Sequence, residues 1–352
     1  MTNRRSFIKQ LSAAGMAGCI PGMVSANPLY VGGLGQQNAE PSEKIWACLM
    51  HLSFNFAGGI RHWGGIRKEF EPDQAVWDSA IKRMAERGIN MVLINLDDSV
   101  LWHSHPEISL KNSWTPERLR DELVKIRNLG IEPIPMLNFA ATHDAWLGKY
   151  SRMVSTTPYY KVCKDLIAEA IDIFDTPRFI HFGMDEETYG HQQHFDYIVI
   201  RQNDLWWGDL YFYISEAITR RVRPWVWSDY VWHNPDKFFK MMPKSVIQSN
   251  WYYGEEFDPE KTYAKAYIDL EKEGYDQVPT GSYHARPGAD FQATNAKSIG
   301  NTVDFCSKHI SQERLMGFMQ TFWMPTTERF SPTILKAIEL TGEAKKNFEK
   351  GK

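Results

Sequence analysis

Arg178-Phe-Ile-His-Phe-Gly-Met-Asp-Glu-Glu187 is a short apolar run that passes straight into three consecutive acids. A strand ends this way when its tip lines a wet, functional mouth. In a parallel α/β sheet or barrel, chemistry is placed at the carboxyl ends of the strands. Working outward, the same alternation of apolar run and helical segment recurs eight times. The apolar runs fall at 45–54, 89–96, 131–139, 178–183, 224–228, 246–251, 275–283 and 315–323. The helical segments fall at 73–87, 116–129, 159–174, 205–221, 235–242, 259–273, 295–309 and 332–348. Thr115 reads as the N-cap of the second helix. Eight βα units without a GxGxxG or P-loop predict an α/β fold, a single (β/α)₈ TIM barrel over 44–350, rather than an open doubly wound sheet.

The N-terminus is set apart from the barrel. Asn3-Arg4-Arg5-Ser6-Phe7, a weakly apolar stretch and Val24-Ser25-Ala26 have the layout of a twin-arginine export signal over 1–26, with cleavage after Ala26. Met16-Ala17-Gly18-Cys19 also fits a lipoprotein box, so a lipid anchor at Cys19 is the alternative fate. Either way the expected location is the periplasm or beyond, with 27–43 a flexible lead-in. No later stretch is long and apolar enough to span a bilayer.

A net charge of −3 without like-charge blocks argues against nucleic acid as a partner. Cys48, Cys163 and Cys306 are widely spaced, so neither a zinc cluster nor a disulfide framework is expected, and Cys48 reads as core. No cofactor or metal is expected; His103-Ser-His105 lacks a third spaced ligand. The chain is rich in aromatics, with 13 Trp and 15 Tyr, many at strand ends beside polar residues. Such rings stack on the C–H faces of sugars while their polar neighbours take the hydroxyls.

If the barrel is right, the strand-end residues share one face. They are Asn55; Asp97 and Asp98; Asn138 with His143; Asp185, Glu186 and Glu187; Trp227 and Asp229; Asn250, Trp251, Tyr252 and Tyr253 with Glu255 and Glu256; Tyr283 and His284; and Trp323. Asp97 reads as a turn residue, and Trp225 as core on the face opposite Trp227. Such an asymmetric polar face fits an enzyme acting on an oligosaccharide or glycoconjugate.

Glycoside hydrolysis usually takes two carboxyl groups on opposite sides of the scissile bond. Adjacent acids on one strand tip do not supply that, and strand seven ends Thr280-Gly-Ser-Tyr-His284 without an acid. The pair instead suits substrate-assisted, retaining cleavage, in which a 2-acetamido oxygen attacks the anomeric carbon. Asp185 would orient the acetamido N–H and Glu186 would act as general acid/base. Close like charge and a partly apolar pocket are expected to keep Glu186 protonated.

His181-Phe-Gly-Met-Asp-Glu186 resembles the His-x-Gly-Gly-Asp-Glu signature of glycoside hydrolase family 20, the β-N-acetylhexosaminidases. Asn95-Leu-Asp-Asp98, Gly130-Ile-Glu-Pro-Ile-Pro135 with His143, Trp227-Ser-Asp229, Trp251 with Tyr252 or Tyr253, and Trp323 are similar to further pieces of that family in the same order. The resemblance implies that Asp185 and Glu186 are catalytic. It also implies that Asp98, His143, Trp227, Asp229, Trp251, Tyr252, Tyr253 and Trp323 bind substrate. The chain departs from the signature in having Met184 for its second Gly. Met136 and Asn138 stand where acids are usual, and Met-Pro follows Trp323. The family's arginine near the end of strand one is missing from 50–55, with Arg61 further on as a substitute. Three alternatives stay open. One is a two-carboxylate glycosidase pairing Glu186 with Asp229, Glu255 or Glu256; another is a barrel that binds glycans without cleaving them; the remotest is a lyase or metal-dependent hydrolase.

Overall fold

The computed structural model describes residues 43–55, 66–193, 195–285 and 293–351. The export and lipidation signal with Cys19, the lead-in before residue 43, and Arg61 lie outside the described residues.

The apolar runs become eight parallel strands: β1 Ile45–His51, β2 Met91–Asn95, β3 Glu132–Met136, β4 Phe179–His181, β5 Arg223–Trp227, β6 Ile247–Ser249, β7 Thr280–Ser282 and β8 Gly317–Thr321. They hydrogen-bond in the order β6-β5-β4-β3-β2-β1-β8-β7. The ring closes between β6 and β7 through the parallel bridges Gln248–Gln277 and Trp251–Thr280. The amide of Thr280 reaches the carbonyl of Asn250 at 3.0 Å there. Pro279 has no N–H to give, so β7 is shorter than its apolar run. The following helices are α1 Gln74–Glu86, α2 Pro116–Asn128, α3 Thr157–Ile173, α4 Asp204–Ile218, α5 Pro235–Met241, α6 Thr262–Lys272, α7 Ser298–His309 and α8 Ser331–Lys350. Thr115 caps α2 as expected, its hydroxyl accepting from Arg118 N at 3.2 Å.

Strand alternation divides the core in two. Trp46, Cys48 and Met50 of β1 belong to the layer between strands and helices, whereas Ile45, Ala47 and Leu49 fill the lumen with Met91, Leu93 and Met319. Both faces of a parallel strand are thus buried, which is why β2 reads as the unbroken run Met-Val-Leu-Ile. Trp225 lies in the lumen with Trp227, not on the opposite face, because residues two apart on a strand point the same way. Its indole N–H is satisfied by Ser249 Oγ at 2.7 Å. No helix among the described residues is long and apolar enough to cross a membrane.

Candidate active site

The lumen-facing register continues past the strand tips and decides what meets above the barrel. On β4 the sequence runs Phe179, His181, Gly183, Asp185. His181 is fully buried, and burial drives its pKa down to about 3, so the ring is neutral. Its Nδ1 accepts from Gly183 N at 3.0 Å. Beyond it the chain turns through Gly183 (φ 70°) and Met184 (φ 76°), then Glu186 (φ 56°). Gly183 is required there: a Cβ would fall 1.9 Å from Asn138 Oδ1.

That turn sends Asp185 and Glu186 to one imidazole. His143 Nε2 lies 3.3 Å from Asp185 Oδ2 and 3.3 Å from Glu186 Oε2. Burial opposes charge on His143, but the two carboxylates outweigh it and hold the ring as an imidazolium. Asp185 is buried and fixed on its other oxygen by Asn138 Nδ2 at 3.0 Å. Glu186 is more open, its side chain 26% exposed, and its second oxygen meets His191 Nε2 at 3.3 Å. His191 sits on the one-turn helix Tyr189–Gln192, with Nδ1 2.8 Å from Thr188 Oγ1. Burial alone would raise the Glu186 pKa. Hydrogen bonds from His143 and His191 override it and hold the carboxyl below its ordinary range. The expectation of a protonated Glu186 meets an opposing influence here, because each of its oxygens faces an imidazole.

Asp229 stands behind this pair. Its Oδ2 accepts from Glu186 N at 2.9 Å, while burial and the charge of Asp185 push its pKa up. Asp229 Oδ1 and Trp227 Nε1 are buried without a hydrogen-bond partner among the described residues, leaving two unmet polar groups on the β5 tip. Aromatic rings continue from there. Trp227 packs on Trp323 at 5.9 Å, Trp323 Nε1 donates to Tyr253 OH at 3.1 Å, and Tyr253 stacks on Trp251 at 5.1 Å. Burial raises the Tyr253 phenol, and the charges of Glu186 and Asp185 add to it. Tyr252 goes the other way. It stacks on Tyr263 and packs on Phe257 in the outer core, because it alternates with its two neighbours.

Asp98 is not hydrogen-bonded to the cluster. Ser53 Oγ and Asn55 Nδ2 take its two oxygens, and burial raises its pKa to about 6 against those bonds. Asn55 also binds the Arg67 backbone in both directions, at 2.8 and 2.9 Å, and the Arg67 charge favours ionised Asp98. The Arg67 guanidinium itself pairs with Glu71 at 3.0 Å. Asp97 lies in the turn that its sequence predicts, at φ 43°, and is there a fully buried carboxyl bonded to Asn95 Nδ2 at 2.8 Å and within the influence of the His143 charge. Glu255 and Glu256 are exposed, with Glu255 facing Lys297 at 3.5 Å.

No family model and no curated protein sequence matches the chain. Solved structures do. The exo β-N-acetylglucosaminidase of glycoside hydrolase family 20 from Vibrio harveyi is 13% identical at a TM-score of 0.60, over 86% of this chain and 54% of that one. The β-N-acetylhexosaminidase from Bacteroides fragilis is 12% identical at 0.56, over 85% and 65%. Dispersin B is 14% identical at 0.55, over 86% and 97%. What is shared is the barrel fold. The chain spans about half the length of the Vibrio enzyme.

His191, Asn138, Asp97 and Arg67 were missed as site residues. Asp97 and Asn138 were readable in principle, since each continues the lumen-facing register of its strand. Arg67 lies in an irregular loop and His191 on a one-turn helix within a long connection, where spacing from the strand tips carries no direction. His143, Asp185 and Glu186 also bring three ligand-type atoms within 4.8 Å of one another, a grouping able to hold a cation. His143 Nε2 lies 3.3 Å from each acid, so the same three groups also fit a direct imidazole–carboxylate contact.

Proposed function

We propose that this protein is a glycoside hydrolase of hexosaminidase type that cleaves a 2-acetamido sugar with retention and substrate assistance. One observation carries the reading: the two adjacent acids are differentiated. Asp185 is buried and held by Asn138 and His143, as an orienting group must be, whereas Glu186 is the more exposed, as a proton donor to a leaving group must be. Asp185 accepts the acetamido N–H, which aims the carbonyl oxygen at the anomeric carbon. Glu186, once protonated, gives its proton to the glycosidic oxygen as that bond breaks and the ring closes to an oxazolinium. The Glu186 carboxylate then takes a proton from water, which opens the ring with retained configuration. Asp185 and the aromatic wall of Trp227, Trp251, Tyr253 and Trp323 stabilise the positive charge.

The two-carboxylate alternative is less well served. Asp229 braces the backbone of Glu186 from behind, and Glu255 and Glu256 are solvated. Aryl glycosides with and without a 2-acetamido group separate the readings, together with a thiazoline inhibitor and Glu186→Gln. Turnover confined to acetamido substrates, tight inhibition and an inactive variant support substrate assistance. Turnover without the acetamido group sinks it, and binding without turnover of any glycan supports a non-catalytic barrel. Export by the twin-arginine route is proposed on Arg4-Arg5 and the segment behind them. Fractionation after Arg4→Lys/Arg5→Lys tests it, and fatty-acid labelling distinguishes cleavage from a lipid on Cys19.

A further inference from the structure

Glu187, the third acid of the β4 tip, takes no part in the chemistry above. It is buried against Arg201, the two side chains being 4% and 1% exposed. Arg201 Nη2 lies 2.6 Å from Glu187 Oε2, and Nε lies 3.0 and 3.1 Å from the two carboxylate oxygens. The same guanidinium donates from Nη2 to Phe139 O at 2.8 Å, just past β3. From Nη1 it reaches Asp209 at 3.0 Å and Tyr213 OH at 3.2 Å on α4. Glu187 Oε2 also accepts from Ala141 N at 3.1 Å, two residues before His143. Met184 Sδ rests 4.0 Å from Arg201 Nη2.

A buried ion pair contributes little net stability by itself, since desolvation offsets the attraction. What it supplies here is a fixed geometry. Met184 and Glu186 are non-glycine residues in the left-handed region, and such conformations persist only where their surroundings over-determine them. The Glu186 carbonyl is held by Thr142 Oγ1 at 2.8 Å, and Thr142 Oγ1 accepts from Gln192 Nε2 at 3.0 Å, next to His191. The segments bearing Glu186, His143 and His191 are therefore tied together around one guanidinium.

We propose that Arg201, acting through Glu187, is the positioning residue that sets the Glu186 carboxyl between His143 and His191. Only its kinetic readout rests on the glycosidase reading. The groups facing His143 are Asp97, Asp144, Asp185 and Glu186, and those facing His191 are Glu186, His143 and Asp229. Arg201→Lys keeps the positive charge opposite Glu187 and Asp209 but cannot span Glu187, Phe139 O and Tyr213 together. The double variant Glu187→Gln/Arg201→Gln removes both charges, while Asp209 keeps donors from Ser155 and Tyr160.

In whichever of these remains folded by circular dichroism, kcat on an activated 2-acetamido aryl glycoside is expected to fall about a hundredfold, the cost of about 1 Å of misplacement. KM is expected to stay near wild type, and the alkaline limb of the pH profile, set by the proton on Glu186, to move up. NMR titrations of the His143 and His191 rings are expected to move toward that of free histidine. A folded variant with wild-type kcat, pH profile and imidazole titrations overturns the proposal. An inactive wild type overturns the glycosidase reading alone, and the imidazole titrations then decide the role of Arg201 without turnover.

Discussion

Replacing Gly183 by Ala sets the geometry of the β4 tip against the site it supports. The new Cβ would meet Asn138 Oδ1 at 1.9 Å, Cγ at 2.2 Å and Nδ2 at 2.7 Å, so the Asn138 side chain must leave. Its departure breaks the bond from Nδ2 to Asp185 Oδ1 and the one that Ala140 N donates to Oδ1 at 3.0 Å. A hydrogen bond to a charged group contributes about 1.5–3 kcal/mol, and a buried amide left unpaired costs about 1–3 kcal/mol. A left-handed alanine adds roughly 1–2 kcal/mol. Partial relaxation reduces the sum, so Gly183→Ala is expected to cost on the order of 4 kcal/mol in urea unfolding, with loss of activity as Asp185 is freed. Asn138→Ala loses the same bonds without the clash. The double variant loses them once, so the double-mutant cycle should show about 2–3 kcal/mol of coupling. Additivity within about 0.5 kcal/mol, the behaviour of independent sites, would falsify the placement of Asn138 against Gly183.

Three further outcomes follow from the same cluster. His191→Gln removes the outer imidazole from Glu186 and so releases one of the hydrogen bonds that depress its pKa. Because Glu186 must carry its proton to the leaving group, the alkaline limb of kcat/KM should move to higher pH, and an unmoved limb would show that His191 leaves Glu186 alone. His143 has a raised folded pKa, so its ion pairs contribute fully below the unfolded histidine value of about 6.5. That contribution is lost as pH rises through the higher folded value; Tm should therefore decline on the alkaline side, and His143→Gln should flatten the slope. With His143 Nε2 already 3.3 Å from both acids, EDTA is expected to leave turnover intact, and activity lost to EDTA and restored by a divalent ion would show that a cation is held there instead.

Legibility in the sequence followed the kind of signal each feature leaves. The barrel was readable because parallel strands buried on both faces print unbroken apolar runs, as in Met91–Asn95, and because eight of them recur with helices between. The acids of the β4 tip were readable because they interrupt such a run. Chemical state was not. Whether Glu186 holds a proton depends on His143 and His191, one on each oxygen, and neither contact has a fixed spacing from the Asp-Glu pair. Direction within a loop was equally hidden: Tyr252 and Tyr253 are adjacent in sequence, yet one packs outward on Tyr263 and the other stacks on Trp251 and accepts from Trp323. Met184 joins the two cases. As a departure from a glycine in the signature it looked like a weakening of the resemblance. In the structure it holds a left-handed turn with its sulfur on Arg201, the guanidinium that also grips Glu187. If the proposed role of Arg201 is right, that substitution does not signal a lost site; it is tolerated because a buried ion pair nearby holds a turn that glycine would adopt without strain. Met184→Gly should then leave activity intact in the wild-type background and recover part of the loss in Arg201→Lys.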